Sequence, residues 1–452
     1  MNRSETLMTS GNIKTKILMF ALPLFLGNLF QQLYNTVDSI IVGNFIGSSA
    51  LAAVSSAGHL IFLVIGFFNG ISVGAGVIIA HYIGARDSRA TKQAVHTAVA
   101  LGIAASAVMT AAGVLVAPKI LVLMHTPPEV LPESITYFRI YFAGSFGFVM
   151  YNTFVGILQA AGDSRHPLIY LTAASVINII LDLVLIAGFG MGVGAAAFAT
   201  AASQLLSAVL AMIRLLRVKE DYRLCIRDIR FHRPLLVKIL QYGLPTGLSN
   251  SVMALSNVVI QSYINSFGEK AVAGIGAYIK VEGFAFIPIM GFSMAMTTFV
   301  GQNLGAGEYE RARKGTRFGI ASALAASELI GLILFIFAPK LIALFDPNPE
   351  VIAFGTMRAR YVTLFFFLCA FTHVGAAVLR GYGKPMASMC VFLICWCVVR
   401  VLILAGAEHF VHTIKTTFIV FPVTWSMSSA AILIILAKEV FLKNRYTEGT
   451  AS

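Results

Sequence analysis

Two aspartates stand inside stretches that are otherwise apolar. Asp38 lies in PLFLGNLFQQLYNTVDSIIVGNFIG (Pro23–Gly47), behind Asn28, Gln31, Gln32 and Asn35. Asp182 lies in SVINIILDLVLIAG, four residues after Asn178, so the two share a helix face. A carboxylate at the centre of a bilayer-spanning helix costs roughly 2.5–3.5 kcal/mol on insertion scales, and such residues usually face a protein interior or a water-filled path. Asn152 and Thr200 are polar residues of neighbouring segments that can point into the same bundle. Two carboxylates, two amides and a hydroxyl make an all-oxygen set, suited to a shared proton or to a hard monovalent cation such as Na⁺ at Asp38, Asn178, Asp182 and Thr200. Against this stands plain interhelical hydrogen bonding. It is the simpler reading for Asn152 and Thr200 alone. For the aspartate pair the cost of charge favours function, because an amide would serve packing.

A third intramembrane acid is Glu282, in YIKVEGFAFIPIMG. It is read either as a counter-charge for substrate or as a structural bridge to Lys280 or Arg400. Together with Gln32, Tyr34, Asn35 and Met290 it is expected to line a substrate cleft. Glu328 and His373 are read as packing or interface groups.

The elements that must hold these residues follow from composition. Of 452 residues, 58% are hydrophobic and 12% charged, and the mean hydropathy is +0.83. Soluble domains average about a quarter charged residues. The chain is therefore expected to be an all-α integral membrane protein. About twelve apolar segments of spanning length are found, near 15–46, 51–82, 93–117, 134–160, 167–189, 192–217, 237–266, 271–303, 315–338, 353–379, 385–405 and 416–438. The net charge of +13 does not point to nucleic acid, since the basic residues fall in alternate connections. These are Arg86, Arg89 and Lys92, then Arg165, then the Arg214–Lys238 stretch, Arg311 to Arg317, Arg380 with Lys384, and Lys443 with Arg445. By the positive-inside rule both termini are expected to be cytoplasmic, in an inner or plasma membrane, with the first helix uncleaved. The five cysteines form no CxxC pair, which argues against a disulfide framework or zinc site.

The chain is also a tandem repeat. Pro339-Lys340-Leu341 follows Pro118-Lys119-Ile120 by 221 residues, and the same offset carries Pro128-Glu129-Val130 onto Pro349-Glu350-Val351 and Gly162 onto Gly383. Pro23 and Asn28 meet Pro245 and Asn250 at 222. Each half has an even number of segments, so both have the same orientation, related by a pseudo-two-fold axis along the membrane normal. The expected division is a first lobe of six helices over 1–218, a connecting loop over 219–236 and a second lobe over 237–452. The repeat places Ile260 opposite Asp38, and Arg400 near the place of Asp182. GISVG (Gly70–Gly74) and GLPTG (Gly243–Gly247) fit close helix packing.

GFGMGVG (Gly188–Gly194) has no preceding strand and reads as a tight turn, not a phosphate loop. No HExxH, Walker A or nucleophile elbow is present, so the chain is not expected to be an enzyme or to carry a cofactor. GQNLGAG (Gly301–Gly307), Pro288 and Gly291 before it, VDSIIVG in the first segment and the two-lobe repeat resemble multidrug and toxic compound extrusion (MATE) transporters over essentially the whole chain. That resemblance implies two six-helix bundles around a cleft, exchanging organic cations and other amphipathic compounds for H⁺ or Na⁺. It implies cation coupling at Asp38, Asn178 and Asp182, with Thr200 and Asn152 in the same network, and an acidic helix-eight position at Glu282. The chain lacks the further acids that some branches carry in helices seven and ten. The expected function is secondary antiport by a monomer with no partner beyond small molecules, ions and lipid. The competing readings are a lipid or lipid-linked-precursor flippase, a channel and a membrane scaffold.

Overall fold

The computed structural model describes residues 7–46, 48–123, 128, 131–410 and 413–442. These form helices throughout: α1 Ile13–Ile41, α2 Ser48–Gly84, α3 Ser88–Leu123, α4 Leu131–Ala143, α5 Ser145–Ala160, α6 Arg165–Asp182 and α7 Val193–Arg217. They continue as α8 Arg233–Asn265, α9 Glu269–Gly305, α10 Tyr309–Ala343, α11 Pro349–Val362, α12 Phe366–Gly381, α13 Pro385–Val391, α14 Arg400–Phe410 and α15 Ile414–Leu436. Ten of the spans are long and apolar enough to cross a membrane, and α4 with α5, bent by 46°, makes an eleventh. The 33-residue α8 is not among these spans, so ten or eleven of the twelve expected are long and apolar enough among the described residues. The chain is thus a multi-pass membrane protein.

Two compact units are formed. Leu26–Gly247 is the body of the first, and Met8–Phe25 joins the residues from Leu248 onward in the second. The division therefore falls inside α1 and α8, just beyond Pro23 and Pro245, while the segment 219–236 packs with the first unit. Core contacts agree. Ile17, Phe20, Ala21 and Leu24 are buried with Ile260, Phe292 and Phe299, whereas Leu235 and Ile239 are buried with Ile79, Val95 and Leu215. A proline at either point lacks the N–H that would close its helical turn and is tolerated where the helix changes neighbours.

In the second unit, GQNLGAG is a clamp. The Met8 N–H donates to Gln302 Oε1 at 2.8 Å, Asn303 Nδ2 donates to the Met8 carbonyl at 3.3 Å, and Arg311 reaches the carbonyls of Met8, Ser10 and Gly11 at 2.7–3.2 Å. In the first unit, α2 and α8 touch backbone to backbone. A Cβ on Gly70 would fall on Thr246–Gly247, and one on Gly74 on Tyr242–Gly243. The GISVG and GLPTG stretches therefore do serve close packing.

The repeat is visible in the backbone itself. Gly162 (φ +87°) and Gly383 (φ +80°) both close a helix in the left-handed region, and their following N–H groups return to Leu158 and Leu379 at 2.9 and 2.8 Å. Gly307 (φ +76°) matches Arg86 (φ +55°), where a non-glycine accepts the same conformation. Among the described residues, four helical runs widen to π geometry: Val42–Ile46, Leu183–Gly188, Phe392–Val399 and Ala437–Leu442. The second begins one residue after Asp182 and the third ends one residue before Arg400. Such π segments are rare and gather at functional sites.

At the end of the first unit where 219–236 lies, the Asp163 carboxyl receives His166 Nδ1 at 2.6 Å, the His166 N–H at 3.2 Å and Arg214 Nη2 at 3.8 Å. Burial pushes this carboxyl up, but the His166 hydrogen bonds and charge and the Arg214 guanidinium outweigh it and hold it below the ordinary carboxylate range.

Three outcomes are expected. Gly74→Val should cost about 1–3 kcal/mol by overpacking, seen as a lower Tm of the detergent-solubilised protein. Gly276→Ala, where a Cβ meets nothing within 4 Å, should leave Tm unchanged; equal melting of the two variants would contradict the packing argument. A depressed carboxyl lends stability above its unfolded value that is lost as pH falls through its folded one. Asp163→Asn should therefore destabilise the protein at pH 7, with the gap to wild type closing between about pH 5 and pH 2. A gap constant across that range would show that Asp163 acts through packing alone.

Candidate functional site

The site in the first unit is assembled from i, i+4 pairs on successive helices. α1 supplies Tyr34 and Asp38, α6 Asn178 and Asp182, and α7 Thr200 and Gln204; α4 adds Tyr137 and Tyr141, stacked with ring centroids 6.1 Å apart. Residues four apart stack one above the other on a helix face, so each helix presents two polar groups inward. Asp38 and Asp182 stand close enough to feel one another's charge. The Gln204 side chain stands beside Tyr34, and Tyr34 and Tyr137 both feel the charge of both aspartates.

The constellation is short of protein partners. Asp182 is 0% exposed and Asn178 1%. Neither oxygen of Asp182, neither polar atom of the Asn178 amide, nor Asp38 Oδ1 or Gln204 Oε1 has a hydrogen-bond donor or acceptor among the described residues. Two carboxyls close together inside an apolar bundle repel unless a proton or a cation stands between them. The Asp38 and Asp182 carboxyls, with the Asn178 amide one helical turn before Asp182, make an oxygen-rich set of the kind that takes up a proton or a hard monovalent cation.

Other expected residues fall differently. Asn152 is half-buried on α5 and donates to the Phe148 carbonyl of its own helix at 2.9 Å, so its amide is engaged locally. The Gln32 carbonyl accepts from Thr36 Oγ1 at 2.9 Å. Tyr34, expected in a substrate cleft, stands beside the aspartates. The side chain of Asn35 lies outside the described residues. Met290 is 38% exposed on α9, whereas Glu282, two turns earlier, is 8% exposed.

Glu282 belongs to a second cluster, wholly within the second unit. Its Oε2 lies 3.6 Å from Arg358 Nη2, and the Tyr278 hydroxyl donates to its Oε1 at 3.4 Å. Lys280 instead places its ammonium over Phe345 at 5.6 Å, and Arg400 Nη2 donates to Thr424 Oγ1 at 2.9 Å. The ion-pair partner is thus neither Lys280 nor Arg400. Arg358 is 76 positions further along and was not signalled by local spacing, although the 221-residue repeat sets it on Tyr137 of the first cluster.

Near the 219–236 segment, His96, Cys225 and Asp228 bring ligand atoms within 4.8 Å of one another, a proximity the cysteine spacing did not show. His96 Nδ1 is bonded to the Lys92 carbonyl at 2.6 Å, and its Nε2 accepts the Cys225 N–H at 3.0 Å. The imidazole lone pair is thereby engaged, and the group staples the segment to α3.

The MatE family model matches residues 23–184 and 245–405, two runs whose starts are 222 apart. The chain is 28% identical to the probable multidrug resistance protein YpnP of Bacillus subtilis over 398 residues, 87% of this chain and 88% of that one. It is 26% identical to the FAD transporter of Shewanella oneidensis over 421 residues, 92% and 93% of the two chains. The structure of a multidrug resistance MATE transporter in an outward-facing conformation superposes with a TM-score of 0.91 at 24% identity, covering 97% and 98%.

Asp182→Asn removes a buried carboxyl that lacks a donor among the described residues. It should leave Tm equal to or above wild type, as replacing a strained functional group often does. A marked fall in Tm would mean that the Asp38–Asp182 pair is a structural prop.

Proposed function

The chain belongs to the MatE family of multidrug and toxic compound extrusion transporters, and from that premise we propose that it is a secondary antiporter exporting organic cations and other amphipathic compounds in exchange for H⁺ or Na⁺. The relatives' names cover both multidrug resistance and FAD transport, so membership sets the transport fold and not the cargo. The observation that carries the coupling is the Asp38–Asp182 pair, buried and without a protein donor to Asp182 among the described residues.

On this reading, a proton or Na⁺ captured between the two carboxyls neutralises the first unit and changes the packing of α1 against α6 and α7. Ion and drug then bias one conformational equilibrium in opposite directions. Each can do so only to the extent that it binds the two states with different affinity. Asn178 and Thr200 complete the ion's oxygen shell, and Tyr34, Gln204 and Tyr137 close it from bulk water. The chain works as a monomer in the inner or plasma membrane with both termini cytoplasmic, consistent with the basic residues in alternate connections.

The test is efflux of a fluorescent organic cation from proteoliposomes, with the pH and Na⁺ gradients imposed separately. One gradient should drive efflux in the wild type. Asp38→Asn and Asp182→Asn proteins that insert and fold normally should fall to the level of protein-free liposomes. Gradient-driven efflux surviving in both variants would sink the coupling assignment.

A further inference from the structure

The buried charges of the second unit do not balance. Arg358 is 3% exposed, Arg400 1% and Glu282 8%, so two guanidiniums share one carboxylate. Both lie against Phe421, with Cζ 4.9 and 4.7 Å from the ring centroid, Arg358 also over Tyr278 at 5.2 Å and Arg400 over Trp396 at 5.0 Å. Glu282 engages one nitrogen of Arg358 and Thr424 one of Arg400. That leaves Arg358 Nε and Nη1 and Arg400 Nε, all buried, without an acceptor among the described residues. Aromatic faces partly offset a cation but accept no N–H in the plane of the guanidinium. Buried charge is ordinarily paired and buried donors are ordinarily satisfied.

The fork of a guanidinium matches the oxygens of a carboxylate, phosphate or sulfate. We propose that Arg358 and Arg400 form a binding site for an oxyanion, held by the donors that Glu282 and Thr424 leave free. Glu282 then has a definite role. It competes with the anion for Arg358 and keeps the empty site from carrying two bare charges. The repeat supports an evolved difference, since the corresponding first-unit positions are Tyr137 and, near Arg400, Asp182. One architecture thus holds an acidic cluster in one unit and a basic one in the other. This inference stands on the second unit alone and does not depend on ion coupling at Asp38 and Asp182.

The chain has two tryptophans, Trp396 and Trp425, with ring centroids 6.3 Å apart and Trp396 under Arg400. Intrinsic fluorescence therefore reports on this cluster. Full-length protein in a neutral detergent is titrated with sulfate and with benzoate, the ionic strength held by chloride. A saturable change in emission is expected. Arg400→Gln should weaken it at least tenfold, and Glu282→Gln, which frees Arg358, should tighten it about tenfold. A wild type without a saturable response, or one whose response both variants leave unchanged, would overturn the proposal. If Arg400→Gln does not fold, the gain in Glu282→Gln decides alone, and no gain rejects the site.

The source of the anion is separated in the same assay. Displacement of benzoate by a carboxylate-bearing xanthene dye, but not by its methyl ester, marks an acidic group of a transported compound. Displacement by inorganic phosphate and not by the dye marks a resident free anion.

Discussion

The polar cluster of the first unit is organised around two carboxyls placed near one another where water is scarce. Asp38 and Asp182 stand 144 positions apart in the chain, and among the described residues no donor reaches Asp38 Oδ1 or either oxygen of Asp182. A packing role would be served better by amides, which hydrogen-bond across helices without like-charge repulsion. The surroundings are built to tolerate the pair. Asn178 and Gln204 keep unspent hydrogen-bonding atoms nearby, and Tyr137 and Tyr141 wall it off with rings. On the proposed reading, the stability of this site depends on what enters it, which a transporter needs if ion binding is to alter conformation.

Much of this was legible in the sequence because it is local. Apolar length gave most of the spans, and a constant 221-residue offset exposed the repeat. Asn178 and Asp182 announced a shared face by their four-residue spacing. What stayed hidden needs the third dimension. Gln204 looks like one more polar residue of α7 until Tyr34 is beside it. Arg358 sits in a short amphipathic stretch, MRARYV, where it resembles a loop-proximal cation. The π segments next to Asp182 and Arg400 leave no recognised mark in composition. GQNLGAG was readable as a family signature, but its work as a clamp on Met8 to Gly11 depends on contacts some 300 residues apart.

The two clusters show what a duplicated scaffold can and cannot preserve. Helix ends survive down to individual left-handed residues, because a turn has one backbone solution. Interior charge does not survive, since once a position is walled by other helices its partner, not its place in the fold, decides which residue is tolerated. Where the first unit has Tyr137 the second has Arg358, whose guanidinium is received by Glu282, Tyr278 and Phe421.

The division of α1 and α8 between units has a consequence for how this molecule can be taken apart. Severing the chain within 219–236 would not yield two self-sufficient halves. The first product would keep Met8–Phe25, whose apolar face belongs with Phe292 and Phe299, and the second would keep the Leu235–Ile239 turns, whose neighbours are Val95 and Leu215. Each half of the tandem repeat is thus finished by a segment encoded in the other. Once that exchange had arisen, neither copy could be lost, shuffled or replaced by a foreign module without leaving an apolar gap in both.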